Sequence, residues 1–289
     1  MLDLLQDVEP ADLIAFARSV PDPADFQISV AGGILPPRKI QGVKYRTKGR
    51  TRRVNTAKYR AYDTSTPRGR REIEHEFLEG FLPPLGLALD VKELETILSA
   101  MENGSDDAEL IDLFYEDVVT EVLGIKSRLE QGGGQVLTFM KFTLAENGLT
   151  LEADYDPDPA FLPTAAVLWT DADATPIDDE LSWISTLVHD GEGRPAKAMA
   201  SESIAPILAK NAQYKGYYYG EADGTNRPTL TPTQLQSVRA TFNLPPITTY
   251  DVQVRVDGVN TRVTPENRFY LLPGGDAADF GETQYGTTA

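Results

Sequence analysis

The spacing of apolar residues changes period several times along this chain, and each change marks an element. From Leu2 to Ser19 they fall at Leu2, Leu5, Val8, Leu13, Ile14 and Phe16, which predicts a short helix stopped by Pro21 and Pro23. The period then drops to two. Val43 and Tyr45 oppose Lys44 and Arg46, and Ala57, Tyr59 and Ala61 oppose Lys58, Arg60 and Tyr62. Two strands follow from this, with TKGRTRR as the hairpin tip. Such a ribbon has few aliphatic side chains and is marginal alone, so it must lie against something else. After a turn at Pro83-Pro84 and Gly86, Val91 to Met101 predicts a short helix.

Asp106 to Gln131 is the strongest periodic stretch. Ile111, Phe114, Val118, Val122, Ile125 and Leu129 recur at steps of three or four, widened by Leu110, Leu113, Val119 and Leu123. With Ser105 or Asp106 as N-cap and Gly132-Gly133-Gly134 as its stop, the helix would be about 40 Å long. VLTFMKFTLAENGLTLEADY then predicts two strands turning at Asn147-Gly148. An acidic turn, DADATPIDDE, leads to a helix through Leu181, Ile184 and Leu187. Ala196 to Leu208 passes from strand to helix with Ser201 or Ser203 as cap, and Thr231 to Phe242 is a further helix. YDVQVRVDGVNTRV alternates about an Asp257-Gly258 turn, and FYLLP is a buried strand. The class is α+β.

Charge adds what periodicity cannot. The 289 residues carry a formal charge of -17. Between Arg38 and Glu72, 13 Lys and Arg face only Asp63 and Glu72, so this segment holds +11 and the remainder -28. The chain is a basic segment on an acidic body. Its length suits one elaborated domain or two smaller ones, and the absence of cysteine excludes disulfide and thiol chemistry. No apolar run approaches the roughly 20 residues of a membrane span, and no basic n-region precedes the first helix. A protein of the cytosol, or of something assembled there, is expected.

Catalytic signals are sparse. The two histidines, His75 and His189, sit among acids and turn residues, and no phosphate- or dinucleotide-binding glycine motif occurs. Asp154, Asp156 and Asp158 alternate as calcium ligands do, but Pro159 and Ala165 stand where that loop needs Gly and Glu. DADATPIDDE fails likewise, with Pro176 and Ser182. No catalytic residue, metal site or cofactor is therefore expected. The basic ribbon could neutralise phosphates, but the acidic remainder would repel a polyanion, and its tyrosines alternate away from its bases. The acidic body of a second copy of the chain is the better counter-charge, in a heterologous contact of the kind that closes rings.

YRAYDTSTP, FLPPLGLALDVKE, IKSRLEQGGGQVLT, ENGLTLEADY, AAVLWTDADATPIDDELSWI, RPAKAMASESIAPILAKN, NRFYLLPGG and GETQYG, in this order, resemble the major capsid proteins of tailed phages, specifically the lambda-like E family. The resemblance runs from about Arg38 onward and implies a Hong Kong 97-type capsid fold. On that fold, 1–26 is an N-terminal arm and 27–71 an extended loop carrying the basic β-hairpin. Residues 72–163 form a peripheral domain with spine helix 106–131, 164–270 an axial domain, and 271–289 a return to the peripheral domain. The resemblance implies an icosahedral shell around phage double-stranded DNA, formed in the host cytoplasm from hexamers and pentamers of the chain and ending in the virion. Lys44, Arg46, Arg50, Arg52, Arg53, Lys58 and Arg60 would then face acids of a neighbouring subunit. The short N-terminal stretch suggests a separate scaffold protein. A portal and a decoration protein are further expected partners, with DNA packaged without sequence-specific binding and no membrane. An encapsulin-type shell housing enzyme cargo, or a nucleic-acid-binding protein, are the alternatives.

Overall fold

The computed structural model describes residues 10–42, 44–46, 79–83, 85, 107–146, 148–189, 193–273 and 281–286, and all structural statements concern these. Helix α1 spans Pro10–Ser19 and strand β1 Pro37–Ile40; β2 is Lys44–Arg46 and β3 Glu79–Phe81. The long helix α2, Asp107–Phe139, is followed by β4 (Lys141–Glu146), β5 (Leu149–Asp154) and a 3-10 turn at Pro159–Phe161. Then come α3 (Pro176–His189), β6 (Pro195–Ala200), α4 (Ile204–Lys210), α5 (Ala212–Tyr219) and α6 (Pro232–Thr241). Strands β7 (Ile247–Thr249), β8 (Gln253–Val256), β9 (Val259–Arg262), β10 (Phe269–Pro273) and β11 (Thr283–Gly286) complete an α+β fold with several small sheets.

A three-stranded sheet, ordered β10-β6-β7, separates two hydrophobic cores. β10 is antiparallel and β7 parallel to β6. Strand geometry sends successive side chains to opposite faces. Tyr270 and Leu272 therefore enter a core with Phe26, Ile28, Leu35, Leu137, Val252 and Val263, whereas Phe269 and Leu271 pack against the other. Met199 and Ala200 split the same way. FYLLP is apolar throughout because both faces of the sheet are covered.

The second core is built from α3 to α6 and contains a buried ion pair. Arg239 Nη1 and Nη2 donate to Glu180 Oε1 and Oε2 at 2.7 and 2.8 Å, with both side chains essentially inaccessible. Arg239 also donates to the Pro245 carbonyl and to Tyr214 Oη. Every buried charge-bearing atom thus has a partner, which is the condition for tolerating such a pair. Burial pushes the Glu180 carboxyl up, and its bonds to Arg239 oppose that rise.

The helix ends follow local chemistry. Thr231 and Gln234 form a reciprocal capping box on α6. Asn211 accepts from Gln213 N and Tyr214 N to start α5, and Gly220 at φ +72° ends it. Ser203 occupies the N-cap of α4, but makes no capping bond; its hydroxyl meets Ser201 Oγ at 2.6 Å instead. Both predicted hairpins form, β4 with β5 around 147–148 and β8 with β9 around Asp257-Gly258, whose φ angles are +48° and +81°.

The largest correction concerns α2. The triple glycine does not stop it: the helix runs 33 residues, about 50 Å, through Gly132-Gly133-Gly134 to Phe139, taking in Val136 to Phe139, expected as strand. Close packing explains the glycines. A Cβ on Gly133 would lie 2.7 Å from Ile28 Cγ2 and closer still to Ser29 Oγ. On Gly134 it would lie 2.5 Å from the Val263 carbonyl and closer to Val263 Cγ1. The helix surface is bared to let 28–29 and 263 approach the backbone. Met140, at φ +50°, ends the helix, donating to the Val136 carbonyl and accepting from Tyr155 N.

The aspartates considered as calcium ligands shape turns instead. Asp154 accepts from Asp156 N, and Asp158 caps the 3-10 turn through Ala160 N. No group of three or more potential metal-ligating side chains occurs among the described residues, and no described helix is long and apolar enough to cross a membrane.

Candidate assembly interface

The chain leading to the basic segment is tied down. Lys126 on α2 donates to the Val20 carbonyl at 2.7 Å and pairs with Asp22 at 2.8 Å. One turn further, Glu130 reaches into the chain at 27–29. Its Oε1 accepts from Gln27 N and Ile28 N, both at 2.9 Å, and its Oε2 from Ser29 N at 2.7 Å. Tyr250 Oη donates to Oε1 at 2.7 Å, and burial, then the Glu130 charge, raise the Tyr250 pKa. Glu130 is inaccessible to solvent and has no ion-pair partner among the described residues. Ser29 Oγ donates to the Leu129 carbonyl at 3.0 Å, where the bare surface at Gly133 admits it.

Beyond this anchor the chain doubles back, Ile34 N and Leu35 N donating to the carbonyls of Gln27 and Ile28. It then enters β1, whose partner is β11, in parallel, with Pro37 opposite Thr283 and Ile40 opposite Gly286. Arg38 grips Glu282 through both carboxylate oxygens, at 3.2 and 2.9 Å, and the contact raises its pKa. A Cβ at Gly286 would overlap the Gly42 carbonyl, so the strand end comes close to the next turn. The chain then forms β2, antiparallel to β3 with Lys44 opposite Phe81, Tyr45 opposite Gly80 and Arg46 opposite Glu79. Arg46 and Glu79, the described residues on either side of 47–78, thus lie opposite each other.

Of the predicted contact residues, Lys44 and Arg46 lie on β2. Arg50, Arg52, Arg53, Lys58 and Arg60 lie outside the described residues, as do the expected hairpin tip, the 57–62 strand and the 91–101 helix. The partner of the first KYR strand among the described residues is β3. Arg38, part of the basic run, has its counter-ion within its own chain. Sequence reasoning missed Glu130, one acid among many in composition, although its place just before three helical glycines was a signal of close approach.

No protein-family model and no curated protein matches the chain. Solved structures do. A phage-related protein of Bordetella bronchiseptica RB50 aligns over 89% of this chain and 74% of its own, at 17% identity and a TM-score of 0.51. At that identity the likeness is one of fold: the chain is folded like a protein described as phage-related.

Proposed function

We propose that this chain is the major capsid protein of a tailed phage, with a Hong Kong 97-type fold, copies of which form hexamers and pentamers of an icosahedral DNA-filled shell. One observation carries the reading. The +11 run from Arg38 to Glu72 belongs to an otherwise -28 chain, and Arg46 and Glu79, which bracket most of it, face each other on adjacent strands β2 and β3, so that it can reach another copy while its root stays fixed. The 33-residue helix and the fold likeness to a phage-related protein support the same reading. On this proposal the chain has no catalytic role. Its partners are other copies, a separate scaffold, a portal and a decoration protein, and DNA is enclosed without being read.

The test is particle formation. The protein expressed with its genomic neighbours should give closed shells by electron microscopy and fast-sedimenting material. Changing Arg50, Arg52, Arg53, Lys58 and Arg60 to Glu should leave the circular dichroism of the monomer intact and abolish shells. Normal particles from that variant would refute the role of the basic segment. Tight, salt-dependent DNA binding by the wild-type monomer would favour a nucleic-acid-binding protein instead.

A further inference from the structure

We propose that Glu130 is a latch: its carboxylate holds residues 27–29 on α2 and thereby sets the position from which the basic segment departs. Four donors, three consecutive backbone N–H groups and the Tyr250 hydroxyl, converge on its two oxygens at 2.7–2.9 Å. An ionised carboxylate is acceptor-only and has about four lone-pair sites, so it satisfies all four donors. A glutamine has one oxygen and would turn an N–H₂ group toward an N–H donor. Successive N–H groups aimed at one point form an anion-binding concavity, and here the anion is supplied by the chain's own helix.

Most of the segment it holds is buried: Ile28 is fully inaccessible, Ser29 nearly so and Gln27 half-buried. Without the carboxylate, the N–H groups of Ile28 and Ser29 would lie inside the protein without acceptors and that of half-buried Gln27 would lose its own, a strong reason for 27–29 to come away. The carbonyls of Gln27 and Ile28 also receive Ile34 N and Leu35 N, so release at 27–29 loosens the whole turn leading into β1. β1 and β2 are separated by three residues, which couples that loosening to the root of the basic segment. Lys126, one turn earlier on α2, is occupied by Val20 and Asp22 and does not neutralise Glu130. Glu130 is a positioning residue on this account, touching no neighbouring copy itself.

The positioning role rests on the proposed assembly function; the latch does not, and the two are separated by measuring the unassembled chain first. In Glu130→Gln, amide hydrogen exchange at 27–35 should quicken by about 10- to 100-fold, while β6 and β10 keep their protection. Tyr250→Phe removes one donor and leaves the carboxylate in place. It should quicken exchange at 27–29 by less than about tenfold, and it serves as the test if Glu130→Gln does not fold. Wild-type exchange rates at 27–35 in the variants would overturn the latch. If exchange rises in folded Glu130→Gln and its shells still match wild type in yield and size, the positioning role is overturned. If the wild-type chain never forms shells, the assembly function fails while the exchange result stands on its own.

Discussion

Replacing Gly133 by alanine sets two well-measured effects against each other. In a free helix the change should stabilise by about 1 kcal/mol, because glycine is the poorer helix former. In this protein the new methyl would meet Ile28 Cγ2 at 2.7 Å and Ser29 Oγ closer still. Ile28 is fully buried and cannot retreat, and Ser29 can turn away only by giving up its bond to the Leu129 carbonyl. Overpacking of this kind costs about 1–3 kcal/mol and the lost hydrogen bond about 1 kcal/mol. After the propensity gain is subtracted, Gly133→Ala should destabilise by about 1–3 kcal/mol. Gly134→Ala should cost at least as much, because its obstacle includes the Val263 backbone carbonyl, and Val263 N is itself bonded to Val252 O. Gly132→Ala is the control. Its Cβ would sit 3.2 Å from the edge of the Phe142 ring, which can shift by a few tenths of an ångström, so it should fall within about 0.5 kcal/mol of wild type. Urea unfolding followed by circular dichroism measures all three. If each substitution raised stability by about 1 kcal/mol, close packing would not be the reason for the glycines.

Other expectations are simpler to state. Arg239→Met should destabilise by about 3–5 kcal/mol by leaving Glu180 buried without its partner, and adding Glu180→Met should recover part of that loss. A double-substitution cycle in urea checks it, and no recovery would speak against the uncompensated charge as the cause. Burial raises the pKa of Tyr214, Tyr250 and Tyr270, with the carboxylates of Glu180 and Glu130 adding to the first two. Their neutral forms are thus favoured in the folded state. The stability they confer is complete below the ordinary tyrosine pKa of about 10 and is lost as pH rises beyond it. An ultraviolet titration should show these three of the 12 tyrosines ionising only with unfolding; early ionisation of all 12 would contradict the burial. Thr231→Ala should cost about 1 kcal/mol through the capping box of α6, measured by thermal melting, and an unchanged melting temperature would count against that cap.

What could be read from the sequence depended on how far apart the interacting parts lie. Asn147-Gly148 and Asp257-Gly258 encode their hairpins within a few residues, and Thr231-Pro232 with Gln234 encodes a helix start in four. These were legible. The end of α2 was not, since three glycines signal a stop locally and only residues 28, 29 and 263 reveal them as a packing surface. Helix α5 also escaped the periodicity, because its consecutive tyrosines point in several directions, although Asn211 and Gly220 bracket it in the expected way. Parallel pairing of β1 with β11 has no local signal at all. At the candidate interface, charge alone identified the basic segment. Glu130 escaped because its ligands are backbone amides, which every residue but proline carries.

The pairing of β1 with β11 also sets an order in time. Thr283 meets Leu35 across 248 residues of chain. At about 5–20 residues per second on the ribosome, the first strand is made roughly 12–50 seconds before its partner. Glu130 can grip 27–29 long before then, but β1 lacks its strand partner until residues 283–286 emerge. Chains arrested short of residue 283 should therefore be cut by protease near 37–40, and equal resistance in arrested and released chains would show that β11 is not needed there. On the proposed assembly function, completing this junction late would delay association until synthesis has passed the point where a premature contact could trap it.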